Sequence, residues 1–426
     1  MKPALRDDAV LTIDPYLAHV PSWVGHELEC LARPLRGATI VHVNSTASGG
    51  GVAEILHRLV PLQRGLGLDA HWLVLDGDGD FFSMTKKVHN ALQGFEEMIN
   101  ESAWAHYTDV NRANLADASE LLSRAHFVIV HDPQPAALLR LARERKGKWI
   151  WRCHIDLSRP ERTVWRRLRS LLEPFDASIF SLAAFARTLP HPQVTITPAI
   201  DPLTAKNQPM DEAEVERICR RLNVPRDLPL FVQISRFDRF KDPLGVIAAF
   251  RLLRRHRAAR LVLAGGSATD DPEGQQVLAE VRQLVGEDPD VLVLELPPDA
   301  NLEVNALQRA ATVVIQKSIK EGFGLVVTEA LWKGRPVIGG AVGGITLQVR
   351  DGLTGYLVRT VEGCAFRMRE CLRHPRRAQE MGARGIELVR GHYLITRQLR
   401  DNLALITLLR REAAFGPEKP RRNAAA

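Results

Sequence analysis

The chain has 426 residues, more than one hydrophobic core usually supports, and its 45% apolar and 25% charged content is that of an ordinary globular protein, so two domains are expected. A net charge of +7 suits small anionic ligands, while the lack of recognition motifs with interleaved aromatics argues against a nucleic-acid partner. The basic excess is densest at Arg143, Arg145, Lys146, Lys148, Arg162, Arg166, Arg167 and Arg169, on helical patterns that read as solvated faces. Five cysteines, at 30, 153, 219, 364 and 371, form no Cys-x-x-Cys pair, and no His cluster has metal spacing; this fits a reducing compartment and predicts no metal site. The start, Met1 to Asp8, carries acids where a leader would have an apolar core, and no apolar run approaches the roughly 18 residues of a membrane span, so the expectation is a cytoplasmic protein without a membrane partner.

Ala38–Val43 reads as a buried strand that runs into the loop Asn44-Ser-Thr-Ala-Ser-Gly-Gly-Gly51, followed by a helix that Pro61 is expected to kink or shorten. Three consecutive glycines expose backbone N–H groups and cost more chain entropy than a simple turn needs, so this loop is a candidate to wrap an anion or lie against a sugar. The strand His71–Leu75 ends in Asp76-Gly-Asp-Gly-Asp80, which is not a calcium loop because Phe81 and Lys87 stand where Gly and Glu would be required. Contiguous glycines also rule out the spaced dinucleotide fingerprint. In the segment 81–94, Lys86, Lys87, His89, Asn90 and Gln93 are either hydrogen-bonding groups for a polyhydroxylated acceptor or a solvated helix face. Two apolar runs, Phe127–Val130 and Trp149–Arg152, place His131, Asp132, His154 and Asp156 just past strand ends, where open parallel sheets bind ligands.

Pro198–Met210 reads as a linker. Strand and helix alternation then restarts at Leu230–Ser235, whose loop carries Arg236, Arg239 and Lys241; Arg236 and Lys241 can neutralise a diphosphate. Strands at Arg260–Ala264 and Val291–Leu296 and a helix at Asn301–Ala311 precede Thr312–Gln316. The stretch Glu321-Gly-Phe-Gly-Leu-Val-Val-Thr-Glu329 follows, before a strand at Arg335–Ile338. Read as strand, loop and helix, it lets the N–H groups of Gly324, Leu325 and Val326 open a helix, an anion-attracting end. Glu321 then faces the reacting centre, and Glu329, about two turns on, faces a neighbouring hydroxyl-bearing group. A Gly-rich turn at Gly339–Gly344, the run Gly355–Val358, and helical patterns with Leu403, Ile406, Leu409 and a basic tail complete the chain.

Ser235-Arg-Phe-Asp-Arg-Phe-Lys-Asp-Pro243, the acid pair Glu321 and Glu329, and Val342-Gly-Gly344 together resemble the retaining glycosyltransferases of family 4. The first half narrows this. His42-Val-Asn-Ser-Thr-Ala-Ser-Gly-Gly-Gly-Val-Ala-Glu54, Thr85-Lys86 with His89–Gly94, His131-Asp-Pro-Gln-Pro135 and Arg152-Cys-His-Ile-Asp-Leu-Ser158 are similar to the glycosyltransferring trehalose synthases, over residues from about 38 to about 400. The resemblance implies an α/β GT-B fold. An acceptor domain of residues 1–202, joined by the terminal helix 395–415, would face a nucleotide-sugar domain of 203–394.

It also implies transfer of glucose from a nucleoside-diphosphate glucose to glucose, giving α,α-trehalose with retention, the base open among ADP, UDP and GDP. No cofactor or metal would be needed, a homodimer is left open, and the rivals are a retaining trehalose phosphorylase and a transferase with another acceptor. By the same resemblance the catalytic set is Glu321, Arg236, Lys241, His154 and Asp132. Glu321 would hold donor hydroxyls, His154 would lie against the donor sugar and Glu329 would take the ribose. Gly50, Gly51, Gly322, Phe323, Gly324, Leu325 and Val326 complete the donor side. Asp132, Lys86, His89, Asn90 and the Gly49–Gly51 loop shape the acceptor side. Gln316-Lys317 and Ala341 depart from the family pattern without touching a charged role.

Overall fold

The computed structural model describes residues 1–414 apart from 7, 49 and 267–271, so Gly49 and the basic tail beyond 414 lie outside the described residues. Two sheets organise the chain. The first has β1 (Lys2–Pro3), β2 (Thr39–Asn44), β3 (Asp69–Val74), β4 (Phe127–His131), β5 (Lys148–Arg152), β6 (Ala177–Phe180) and β7 (Gln193–Thr195), in the order β1-β3-β2-β4-β5-β6-β7. The second has β8 (Leu230–Ile234), β9 (Arg260–Gly265), β10 (Val291–Glu295), β11 (Val313–Gln316), β12 (Val337–Gly340) and β13 (Gly355–Val358), in the order β10-β9-β8-β11-β12-β13. Every pairing is parallel except β1 on β3. Runs such as Phe-Val-Ile-Val-His in β4 are buried at every position, as strands covered by helices on both faces must be.

Each sheet reverses direction once. In the first, β3 lies on one side of β2 and β4 on the other; in the second, β9 and β11 flank β8. At such a switch point the two following loops diverge and leave a crevice at the strands' carboxyl ends. The loops there are those after β2, β4, β8 and β11, which carry Gly50 and Gly51, Asp132, Arg236 with Lys241, and Glu321, while His154 and Asp156 follow the adjacent strand β5.

The helix Gly51–Gly65 continues past Pro61, so that proline does not shorten it; the missing N–H is tolerated while the Pro61 carbonyl accepts from Leu11 N–H. Strand β12 begins two residues later than expected and includes Gly339 and Gly340, because β13 offers them a ladder through Leu357 and Val358. Strands β6 and β7 were not anticipated: four and three residues long, they are too short to show a period.

The chain crosses between the sheets twice, and the crossings are tied together: Ile200 N–H donates to Tyr393 O and Ile395 N–H to Ile200 O, both at 2.9 Å. Beyond the second crossing, helix Ile395–Ala414 returns to the first sheet, burying Leu399, Leu403, Ile406 and Leu409 against Leu28, Leu56 and Ile40. Leu403→Ala, at a fully buried position, is expected to lower the unfolding free energy by about 2–5 kcal/mol in urea titration.

Candidate active site between the two sheets

Strand β11 ends at Gln316 and the chain turns through Ser318 to Glu321, a residue only 8% exposed. Its Oε2 accepts from Lys241 Nζ at 2.7 Å, Ser318 Oγ at 3.0 Å and Gln316 Nε2 at 3.2 Å. A buried carboxylate needs such partners, and charge-assisted bonds of this length are the strong ones. Gln316, which the sequence suggests only as a variation on the approach, is therefore a holder of the acid. Asp242 shapes the Lys241 loop from the left-handed region at φ 50°, capping the next helix through Gly245 N–H and pairing with Lys317. Arg236 sits on the same loop with its side chain 48% exposed, 3.6 Å from Asp238.

Gly324, at φ 83°, makes the turn from Glu321 into helix Leu325–Trp332, a conformation that a side chain rarely adopts. The first-turn amides, including Leu325 and Val326, are those a helix leaves without an internal partner, and the positive end of its dipole lies there. Gly322 and Phe323 precede it, and a Cβ at Gly322 would fall 2.2 Å from the carbonyl oxygen of His154 in the other domain. Only glycine lets the acid loop abut the first sheet. Lys320 stands 3.9 Å from the buried Asp156, Leu325 lies over Gly51, and the rings of Phe95 and Phe240 meet edge to face at 4.9 Å.

On the first-domain side, Asp132 follows β4 at φ 64°, a backbone position that suits Asp or Asn and costs most other residues energy. Its Oδ1 accepts from His154 N–H at 2.7 Å. Burial pushes the Asp132 carboxyl up to about 7, against the opposing pull of the His154 N–H and the Arg152 charge. His89 is held down to about 4 by burial, then by the charges of Lys86 and of Arg236 across the cleft. The acceptor-side candidate His89 thus lies within electrostatic reach of Arg236 and Asp238 on the loop after β8. Asn90 is instead engaged locally, donating to Glu97 at 3.1 Å. Gly50 caps helix Gly51–Gly65 with extended backbone and accepts from Glu54 N–H.

Glu329 is 1% exposed, and its partners were not foreseen. Gln308 Nε2 lies 3.3 Å from one oxygen and Lys206 Nζ 3.6 Å from the other, and Lys206 also bonds Glu54 of the first domain at 2.7 Å. Burial acts against the Lys206 ammonium, but the charges of Glu329 and Glu54 outweigh it and hold its pKa above the ordinary lysine value. Glu54 is pushed up by burial and by Glu329, while burial brings the neighbouring Lys333 down to about 7. Lys206 belongs to the stretch expected to be a plain linker; the linker contributes a charge to the cleft.

Two open parallel sheets whose switch points face each other, with an acid-and-lysine pair and a helix N-terminus on one side, define a GT-B glycosyltransferase. Residues 42–187 match the family described as trehalose synthase, N-terminal domain, and residues 214–388 match glycosyl transferases group 1. The trehalose synthase of Pyrococcus horikoshii is 45% identical over 383 residues, covering 89% of this chain and 92% of that protein. The trehalose phosphorylase of Pleurotus pulmonarius is more distant, 29% identical over 74% of this chain and 49% of its own length. The α,α-trehalose 6-phosphate synthase structure from Burkholderia multivorans superposes with a TM-score of 0.70 over 91% of this chain and 100% of that one, at 14% identity. The chain belongs to the trehalose synthase family of glycosyltransferases. Among the described residues no helix is long and apolar enough to cross a membrane.

The raised Asp132 pKa has a sign that can be measured. An acid whose folded value is about 7 and whose unfolded value is about 3.9 favours folding less as pH rises between the two. Asp132→Asn keeps the left-handed backbone and an oxygen for His154 N–H, so its stability relative to wild type should improve from pH ~4 to ~7, by about 2 kcal/mol once partial exposure is allowed for. Urea titrations across that range check it, and a flat difference would refute it.

Proposed function

We propose that the protein transfers glucose from a nucleoside-diphosphate glucose to free glucose, forming α,α-trehalose with retention at the donor carbon. The observation that carries this reading is the Lys241–Glu321 pair at 2.7 Å, set beside the Leu325–Trp332 helix start and against the His154 backbone. A departing diphosphate gains negative charge at the transition state, and Lys241, Arg236 and the first-turn amides supply fixed positive charge where that happens. Glu321, held from one side on Oε2, has Oε1 left to accept a sugar hydroxyl. Glu329 is the ribose candidate, with Lys206 sharing its carboxylate.

No carboxylate nucleophile is assigned to the far face of the donor sugar, so retention follows a front-face course. The leaving phosphate oxygen takes the proton of the attacking acceptor hydroxyl as the carbon–oxygen bond to phosphate breaks and the new glycosidic bond forms. In this scheme the chemistry needs no metal. Asp132, Lys86 and His89 orient the acceptor. Contacts such as Gly322 on His154 exclude water, which would otherwise capture the oxocarbenium-like centre.

Incubation with ADP-, UDP- or GDP-glucose plus glucose should release the nucleoside diphosphate and give a disaccharide with two α linkages by NMR. Turnover only of trehalose with inorganic phosphate would overturn the reading in favour of a phosphorylase, and inertness toward every nucleotide sugar would overturn it altogether. Glu321→Gln and Arg236→Ala should each lower kcat/KM by on the order of 10²-fold or more; wild-type rates in either variant would remove that residue from the assigned role.

A further inference from the structure

Behind His154 three imidazoles line up across neighbouring strands. Gln63, on helix Gly51–Gly65, places Oε1 3.1 Å from His42 Nε2; His42 Nδ1 lies 3.1 Å from His131 Nε2; and His131 Nδ1 lies 3.1 Å from His154 Nε2. The rings are stacked pairwise at 5.4 Å between centroids. His42 and His131 are buried, and His154 is the part-exposed end beside Gly322. The chain therefore runs from the helix packed on the sheet out to the cleft. Among the described residues no three His, Cys, Asp or Glu side chains are arranged to hold a metal, and these rings are strung in a line instead of converging.

The geometry points to a tautomer relay, in which Gln63, His42 and His131 are positioning residues that fix His154 as the Nε2–H tautomer and present its bare Nδ1 as a hydrogen-bond acceptor to a donor-sugar hydroxyl. Each contact between neutral rings holds one proton, so only two polarities exist, and one end of the chain selects between them. The Gln63 carbonyl oxygen can only accept. His42 must then carry its proton on Nε2 and accept on Nδ1, His131 must do the same, and His154 must spend its only ring N–H on His131. Neutrality is enforced from several sides. Burial holds His42 down to about 4 and holds His131 and His154 well below the ordinary imidazole range, and the Arg152 guanidinium adds to the depression of the last two. Arg152, 3% exposed, lines with all three rings a cavity of about 10 Å³, room for one water. Asp132 faces the chain's outer end through its bond to His154 N–H.

The assignment of Nδ1 to a sugar hydroxyl rests on the transferase reading; the tautomer itself does not. Long-range ¹H–¹⁵N NMR of the full chain labelled at histidine, with signals assigned by single His→Asn variants, should show all three rings as Nε2–H tautomers that do not titrate between about pH 5 and 8. A Nδ1–H tautomer or an imidazolium at any of the three overturns the relay, whatever the enzyme assay shows. In turn, the expected tautomers in a protein inert toward nucleotide sugars would sink the transferase reading and leave the relay standing. Gln63→Met should mix the tautomers and lower kcat/KM on the order of tenfold, about one neutral hydrogen bond. Loss of rate in Gln63→Met with unchanged tautomers would show a packing role only and overturn the relay.

Discussion

A carboxylate at the floor of a cleft cannot stay ionised without partners, and the way Glu321 obtains them sets much of the architecture. Its three donors come from three places: Lys241 from the loop after β8, Gln316 from the end of β11, and Ser318 from the turn between. Strands β8 and β11 are neighbours only because the sheet reverses its strand order there. All three donors converge on one oxygen, so the other stays available toward the first domain.

The second constraint is the abutment of the two domains. Gly322 under His154 O, Lys320 near Asp156, and Lys206 between Glu54 and Glu329 put backbone, charge and linker into one interface. Buried ion pairs like the last are a poor source of net stability, because desolvation offsets most of the attraction. Their value lies in specificity: two carboxylates from different domains share one ammonium only when the cleft is closed on them. The Ile200–Tyr393–Ile395 hydrogen bonds gather both crossings at one place.

Much of this was legible in the chain. Runs such as Val-Val-Ile-Gln and Phe-Val-Ile-Val are strands in any buried setting, and Gly-Phe-Gly before an apolar helical pattern announces a loop and a helix start. The acids eight residues apart, and the Arg and Lys five residues apart in the loop after the second half's first strand, carry their chemistry in their spacing. The isolated polar residues were harder to read. Gln316, Gln63 and Lys206 look like ordinary polar positions in a linear text, since nothing nearby in sequence tells which acid or ring each will face.

The sequence by itself determined the alternation of strand and helix, the two-domain size and the family, because these depend on local periodicity and on short motifs whose residues act together. Only the tertiary structure decided that Lys241 meets Glu321 across 80 residues, that Lys206 is shared by Glu54 and Glu329, and that His42, His131 and His154 form one line. Those pairings follow from strand order and from how two sheets face each other, and burial then turns each of them into a shifted pKa or a fixed proton position. Neither strand order nor burial is written in any single stretch of the chain.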